Sequence, residues 1–229
     1  MEDLSTQTKT KDSFKKPLIV LIIIYIIYGV LGFISAKYTP FEVFQQIITL
    51  GPKGDLIPVE QIQKQYELTQ SLSWISIFLG GFSKISIMIV IGLALYIGFN
   101  IFETRQNFKT IMKCVIFSEF VFVIQTALVI PITFNGNFEC FNQTLSFPFS
   151  ILSLLDVCKL DAYMVGILRY INIFELTYFC LLAFLLVKNI DLPKSKIIKV
   201  SVYSYGIILL ISMTSSTISA MAIEKLANL

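Results

Sequence analysis

The 229-residue chain contains no histidine. That removes the commonest metal ligand and the one side chain whose ordinary pKa lies near neutrality. Zinc and di-iron chemistry and a histidine-based triad lose their usual residues with it. Charge is scarce as well: 14% of residues are charged and 55% are hydrophobic, against about 25% charged in soluble domains. A chain of this composition would precipitate in water, so it is expected to be an integral membrane protein. There is one tryptophan, and the four cysteines form no C-x-x-C pair. No G-x-S-x-G, nucleotide-binding glycine loop or paired aspartates occur. No catalytic, cofactor-binding or metal-binding residue is therefore expected, no cofactor is implied, and the chain is read as a non-enzyme.

What is present is a series of long apolar runs. Residues 1–16 are polar, mixed in charge and expected to be disordered. Residues 17–36, PLIVLIIIYIIYGVLGFISA, are long enough to cross the ~30 Å hydrocarbon core at 1.5 Å per residue. The run is too long for a signal-peptide core and lacks a good small-residue cleavage site. Further spans are expected at 79–102, 114–134, 163–187 and 200–222, separated by external loops at 38–70 and 135–162. The fold class is thus all-α, a polytopic membrane bundle of five transmembrane helices in one domain over 17–229. In the first loop, Thr39-Pro40-Phe41-Glu42 reads as a capping box with proline at the first helical position, opening a short amphipathic helix through Leu50. Pro58 restarts a helix expected to run into the second span. In the second loop, FPFSILSLL is too short to span and is expected at the interface or across the bundle. Eleven of the eighteen basic residues fall at the N-terminus or in the connections around 103–113 and 188–199. The positive-inside rule then puts the N-terminus in the cytoplasm and the C-terminus outside.

Four ionisable residues fall inside spans: Lys84, Glu119, Arg169 and Glu175. A charge at mid-bilayer costs ~3 kcal/mol on insertion scales, so such residues need partners within the protein. Counting 1.5 Å per residue from the cytoplasmic edge puts Glu119 at roughly 8–10 Å, Glu175 at about 18 Å, and Lys84 and Arg169 at about 25 Å. Arg169, Asn172 and Glu175 follow at i, i+3, i+6 and would share one stripe of a helix. The expected arrangement is a Lys84–Glu175–Arg169 cluster with Asn172 adding an interhelical hydrogen bond. Three roles stay open: a staple between helices, snorkelling of the two cations to the interface, and a polar path for protons or substrate.

Cys140 and Cys158 share the second external loop and could be bridged in an oxidising compartment. Cys114 and Cys180 are expected as small apolar residues. Asn142-Gln143-Thr144 is a glycosylation sequon, but the low arginine and high isoleucine, lysine and phenylalanine usage looks bacterial and makes it accidental.

Several stretches carry a resemblance: IGFNIF before a short basic turn, SEFVF, FPFSILSLLD, LRYINIFELTYFCLLAFLL and VSVYSYGIILL after a lysine-rich turn. Together they resemble multi-pass proteins of Bacteroidota-type bacteria that look like distant members of the Yip family, the Ypt/Rab-interacting membrane proteins. Asn172-Ile173-Phe174-Glu175 is the most specific piece, and the likeness covers roughly residues 70–215. It implies a five-span topology with a cytoplasmic N-terminus and a scaffold or adaptor without enzymatic activity. The N-terminal polar stretch is only about sixteen residues against the longer region of eukaryotic members, so Rab binding is not implied. The expected partners are the lipid bilayer and a membrane protein or a second copy of the chain, with no nucleic acid. The expected location is a bacterial cytoplasmic (inner) membrane. A small permease, or a component of one, using the buried charges is the alternative.

Overall fold

In the computed structural model, residues 15–51, 53–102, 104, 106–145 and 149–227 are described. The expected disorder of 1–16 falls almost wholly outside that range. The described chain is helical, and among its residues the only β-type pairing is an isolated bridge between Ser150 and Asn172. The helices are α1 (Lys15–Tyr38), α2 (Phe41–Thr49), α3 (Val59–Ser71), α4 (Ile75–Ile101), α5 (Phe108–Ser118), α6 (Phe120–Phe134), α7 (Phe141–Leu145), α8 (Ala162–Leu168), α9 (Ile173–Asn189) and α10 (Lys194–Ala227). Among the described residues, four helices are long and apolar enough to cross a membrane: α1, α4, the nearly continuous α5–α6 pair, and α10 over Lys194–Ser219.

The expected fourth span, 163–187, is not one helix. Arg169 ends α8, and Asn172 takes extended backbone angles and caps α9. Arg169, Asn172 and Glu175 therefore straddle a helix break instead of sharing a stripe. The pattern Asn172-x-x-Glu175 is itself a helix-start signal, hidden by the apolar run around it.

Three smaller boundaries also move. Pro40, not Thr39, occupies the N-cap of α2, and no side chain caps that helix. The Thr39 hydroxyl donates back to the Ser35 carbonyl instead. Helix α3 stops at Ser71, and a turn through Trp74 separates it from α4. The third span starts at Phe108 because Asn107 Oδ1 accepts from the Lys109 amide at 2.9 Å, an N-cap inside what was expected to be a polar turn.

Helix α4 lies at the centre, against α1, α5 and α10, while α9 packs on α5, α6 and α10. Their shared core includes Ile24, Met88, Leu95, Phe99, Val115, Leu182 and Val200. In a bilayer the hydrophobic effect does not press helices together, so close approach of small residues matters more. Gly29 on α1 meets the backbone of α4: a Cβ there would lie 2.6 Å from the Ile77 carbonyl oxygen. Gly166 on α8 lets that helix approach α10, where a Cβ would lie 3.0 Å from the Thr217 Cα.

The segment between α6 and α9 forms a cap at one end of the bundle, with its own small core of Leu152, Val157 and Val165. Cys140 and Cys158 are bonded, with Cα atoms 5.8 Å apart. The Asn142 amide donates to the Val157 and Leu160 carbonyls at 3.2 and 2.7 Å, so the sequon asparagine is already part of the loop's internal structure. Gln46 of α2 donates to Asn137 at 3.2 Å and ties the first loop to the second. FPFSILSLL, of which residues 147 and 148 lie outside the described range, contributes a 3-10 turn over Ile151–Leu154. Lys159 donates to Asp156 at 2.7 Å and holds that carboxyl below the usual carboxylate range. The pair is exposed, so its support, lost as pH falls through the lowered value, is small.

The glycine contact gives a direct test. Gly29→Ala should destabilise the purified protein by ~1–3 kcal/mol, because a backbone atom cannot step aside. Gly206→Ala, where a Cβ meets nothing within 4 Å, should be neutral or mildly stabilising, as helix propensity favours alanine. Thermal unfolding in detergent compares them; equal effects would refute the close α1–α4 contact.

Candidate functional site

Lys84, Glu119, Arg169, Asn172 and Glu175, the five residues singled out from sequence, all line one cavity of about 260 Å³ inside the bundle. They come from α4, from the junction of α5 and α6, and from the break between α8 and α9. Gln125 of α6 and Tyr205 of α10 line it as well.

Glu119 is 1% exposed. Its Oε1 accepts a hydrogen bond from the Tyr28 hydroxyl of α1 at 3.0 Å. Its Oε2 is buried and accepts no hydrogen bond among the described residues. Glu175 has a separate donor: the Tyr205 hydroxyl of α10 reaches its Oε1 at 2.6 Å. Each carboxylate thus ties its own helix to a tyrosine on another, and a charged acceptor makes such bonds stronger than neutral ones.

Lys84 sits over aromatic faces. Its Nζ lies 4.9 Å from the centroid of the Tyr28 ring and 5.6 Å from that of Phe122, a cation–π arrangement that gains strength away from water. Among the described residues it makes no direct ion pair with Glu119 or Glu175. The expected Lys84–Glu175 contact is therefore replaced by two tyrosine–carboxylate bonds with the ammonium held on ring faces nearby. Tyr28 serves both charges, through its ring and through its hydroxyl.

Asn172 also differs from expectation. Its Oδ1 accepts from the Glu175 amide at 2.8 Å and its Nδ2 donates to the Arg169 carbonyl at 3.2 Å. Both bonds are local and shape the helix break instead of crossing between helices. The cap loop pins that break from the other side: the Ile151 amide donates to the Ile171 carbonyl at 2.9 Å, and the Ile173 amide to the Phe149 carbonyl at 3.3 Å. Phe149 holds a φ of 66°, a left-handed conformation uncommon for a bulky residue. Its ring lies edge-on to Phe174, centroids 5.6 Å apart.

Sequence reasoning passed over the tyrosines. Tyr178 is fully buried, stacks on Phe122 at 4.6 Å and lies 5.5 Å from Tyr205. Its hydroxyl makes no hydrogen bond among the described residues. The available signal was the recurrence of tyrosine inside otherwise aliphatic spans, since a buried phenol needs a partner.

The grouping of residues resembles no metal centre: among the described residues no cluster of three potential ligands forms. Cys180 is free and exposed and Cys114 is free and buried, and neither adjoins the charged residues in the cavity wall.

Compared with known proteins, the chain matches the family described as Yip1 domain over residues 4–216. No curated protein and no solved structure matches it.

The bonding pattern predicts which pairs are energetically coupled. In a double-mutant cycle with Tyr205→Phe and Glu175→Gln, thermal unfolding in detergent should give a coupling of ~1 kcal/mol, as for interhelical bonds in membranes. Lys84→Met with Glu175→Gln should couple less, because the two side chains do not touch. A larger coupling for the Lys84 cycle would contradict this assignment.

Proposed function

The chain belongs to the Yip1 family, and from that premise we propose a membrane adaptor without enzymatic activity that holds another membrane protein at its outer cap. Fold membership alone does not assign a role, so the reading rests on one observation. Leu154, in the loop closed by the Cys140–Cys158 bond, is 82% exposed, and its neighbour Leu155 is half-exposed. Phe149 and Ile151 of the same loop are exposed as well, and apolar side chains gathered on one braced loop suit a contact surface better than scattered single ones do. The brace itself stabilises by ~3 kcal/mol in the chain-entropy model. The buried carboxylates fit the same reading, because their bonds to Tyr28 and Tyr205 join helices.

The topology that accompanies this proposal has five crossings. The four long helices supply four. The α8–α9 pair supplies the fifth: α9 alone, with 17 residues, covers ~26 Å at 1.5 Å per residue, and α8 completes the path. The distribution of lysine and arginine supports a cytoplasmic N-terminus and an external C-terminus. A bacterial cytoplasmic membrane suits the residue usage and would expose the cap to an oxidising compartment, where disulfides persist.

Two experiments test these statements. A reporter active only in the cytoplasm should work when fused after Lys16 or within 189–198, and fail after Leu229; the opposite pattern would refute the orientation. For the adaptor role, a partner co-purifying in stoichiometric amount in mild detergent should be lost in the Leu154→Asp/Leu155→Asp variant and weakened by reduction of the disulfide. Retention of the partner by a folded variant would remove the cap as the contact surface, and a lone chain across several detergents would remove the adaptor reading.

A further inference from the structure

A second hollow adjoins the charged cavity. It is an apolar groove of about 570 Å³ between α9 and α10, walled by Leu176, Phe179, Val202 and Met213 with Gly206 at its side. Leu176 and Val202 are exposed on the bundle surface, so in a membrane the groove faces hydrocarbon. Groove and cavity share Tyr170, Asn172, Glu175, Tyr205 and Leu209. The Tyr205–Glu175 hydrogen bond lies where they meet. A greasy channel on the lipid side thus leads to a polar hollow on the protein side, which is the shape of an amphiphile.

The charges in the hollow specify the polar end. Glu119 Oε2 is buried and accepts no hydrogen bond from a described residue. Lys84 lies on ring faces and makes no hydrogen bond or ion pair with a described residue. These opposite charges line one cavity without pairing with each other. A zwitterion satisfies both, with its anionic group on the Lys84 ammonium and a hydrogen-bond donor on the Glu119 oxygen. The volume of about 260 Å³ corresponds to roughly nine waters at ~30 Å³ each, which suits a small headgroup. Half-buried Gly206 leaves room for a chain along α10, since nothing lies within 4 Å of a Cβ built there.

We propose that this groove and cavity bind one phospholipid with a zwitterionic, primary-ammonium headgroup, its acyl chain between α9 and α10 and its headgroup between Lys84 and Glu119. The ammonium matters because Glu119 Oε2 needs an N–H donor, which a quaternary ammonium lacks. Leu154 and Leu155, the cap residues of the adaptor contact, line neither the groove nor the cavity, so the two readings can fail separately.

The test uses the purified full-length chain, delipidated in detergent, with thermal unfolding followed on adding phosphatidylethanolamine, phosphatidylcholine, phosphatidylglycerol or soluble phosphoethanolamine. Phosphatidylethanolamine should raise the unfolding temperature by about 5 °C, and the other three by clearly less. Glu119→Gln keeps an acceptor for Tyr28 but removes the charge, and should erase the preference among headgroups. Gly206→Trp fills the groove without touching Lys84 or Glu119, and should reduce the response to all the lipids. Equal shifts with all three lipids would overturn the headgroup assignment, and an equal shift with phosphoethanolamine alone would overturn the acyl-chain site. Should Glu119→Gln fail to fold, native mass spectrometry of wild type and Gly206→Trp decides: retained phosphatidylethanolamine in the first and loss in the second supports the site, and equal retention overturns it.

Discussion

A carboxylate brought into hydrocarbon must find donors within the protein, and that requirement organises this bundle. Glu119 is almost wholly enclosed, and the Tyr28 hydroxyl meets one of its oxygens at 3.0 Å. The bond joins α1 to the junction of α5 and α6. The same tyrosine offers its ring to Lys84 of central helix α4. One side chain therefore holds three parts of the bundle in register, and it keeps two opposite charges near each other without letting them neutralise. An unpaired carboxylate in that place would cost far more than the hydrogen bond returns.

The second carboxylate depends on a different device. Glu175 reaches Tyr205 because the chain breaks at 169–172 and restarts as α9 with Asn172 as its cap. The break exposes backbone groups that hydrocarbon cannot satisfy. The cap loop satisfies part of that demand, with Phe149 and Ile151 bonding to Ile173 and Ile171. A disulfide and the Asn142 amide brace the loop in turn. The disulfide-held cap and the buried Glu175–Tyr205 pair are thus mechanically connected through about four residues of irregular backbone.

Most of the helical frame was legible because bilayer thickness imposes its own length on the sequence. The apolar runs at α1, α4 and α10 are long and carry few charges, so hydropathy suffices to find them. Lys84, Glu119, Arg169 and Glu175 of the cavity wall were legible for the complementary reason, that ionisable groups are rare in such runs. Their bonding was not. Helical periodicity placed Arg169, Asn172 and Glu175 on one stripe, whereas the Asn172 cap interrupts the helix within an unbroken apolar stretch. The donors were missed because tyrosine passes for an apolar residue in a span, and nothing in the sequence pairs Tyr28 with a glutamate ninety-one positions away. Pairing of that kind depends on which helix faces pack together, and the close approach at Gly29 sets that for α1 and α4.

The contact between Tyr28 and Glu119 is the one on which the rest of the bundle depends. Solid-state NMR of the full chain in lipid vesicles, with carbon-13 in tyrosine rings and glutamate side chains, measures it directly. The predicted result is a through-space cross-peak between the Tyr28 ring Cζ and the Glu119 carboxyl carbon, which disappears in Tyr28→Leu. Absence of that cross-peak, with Glu119 instead in contact with the Lys84 side chain, would contradict the arrangement described.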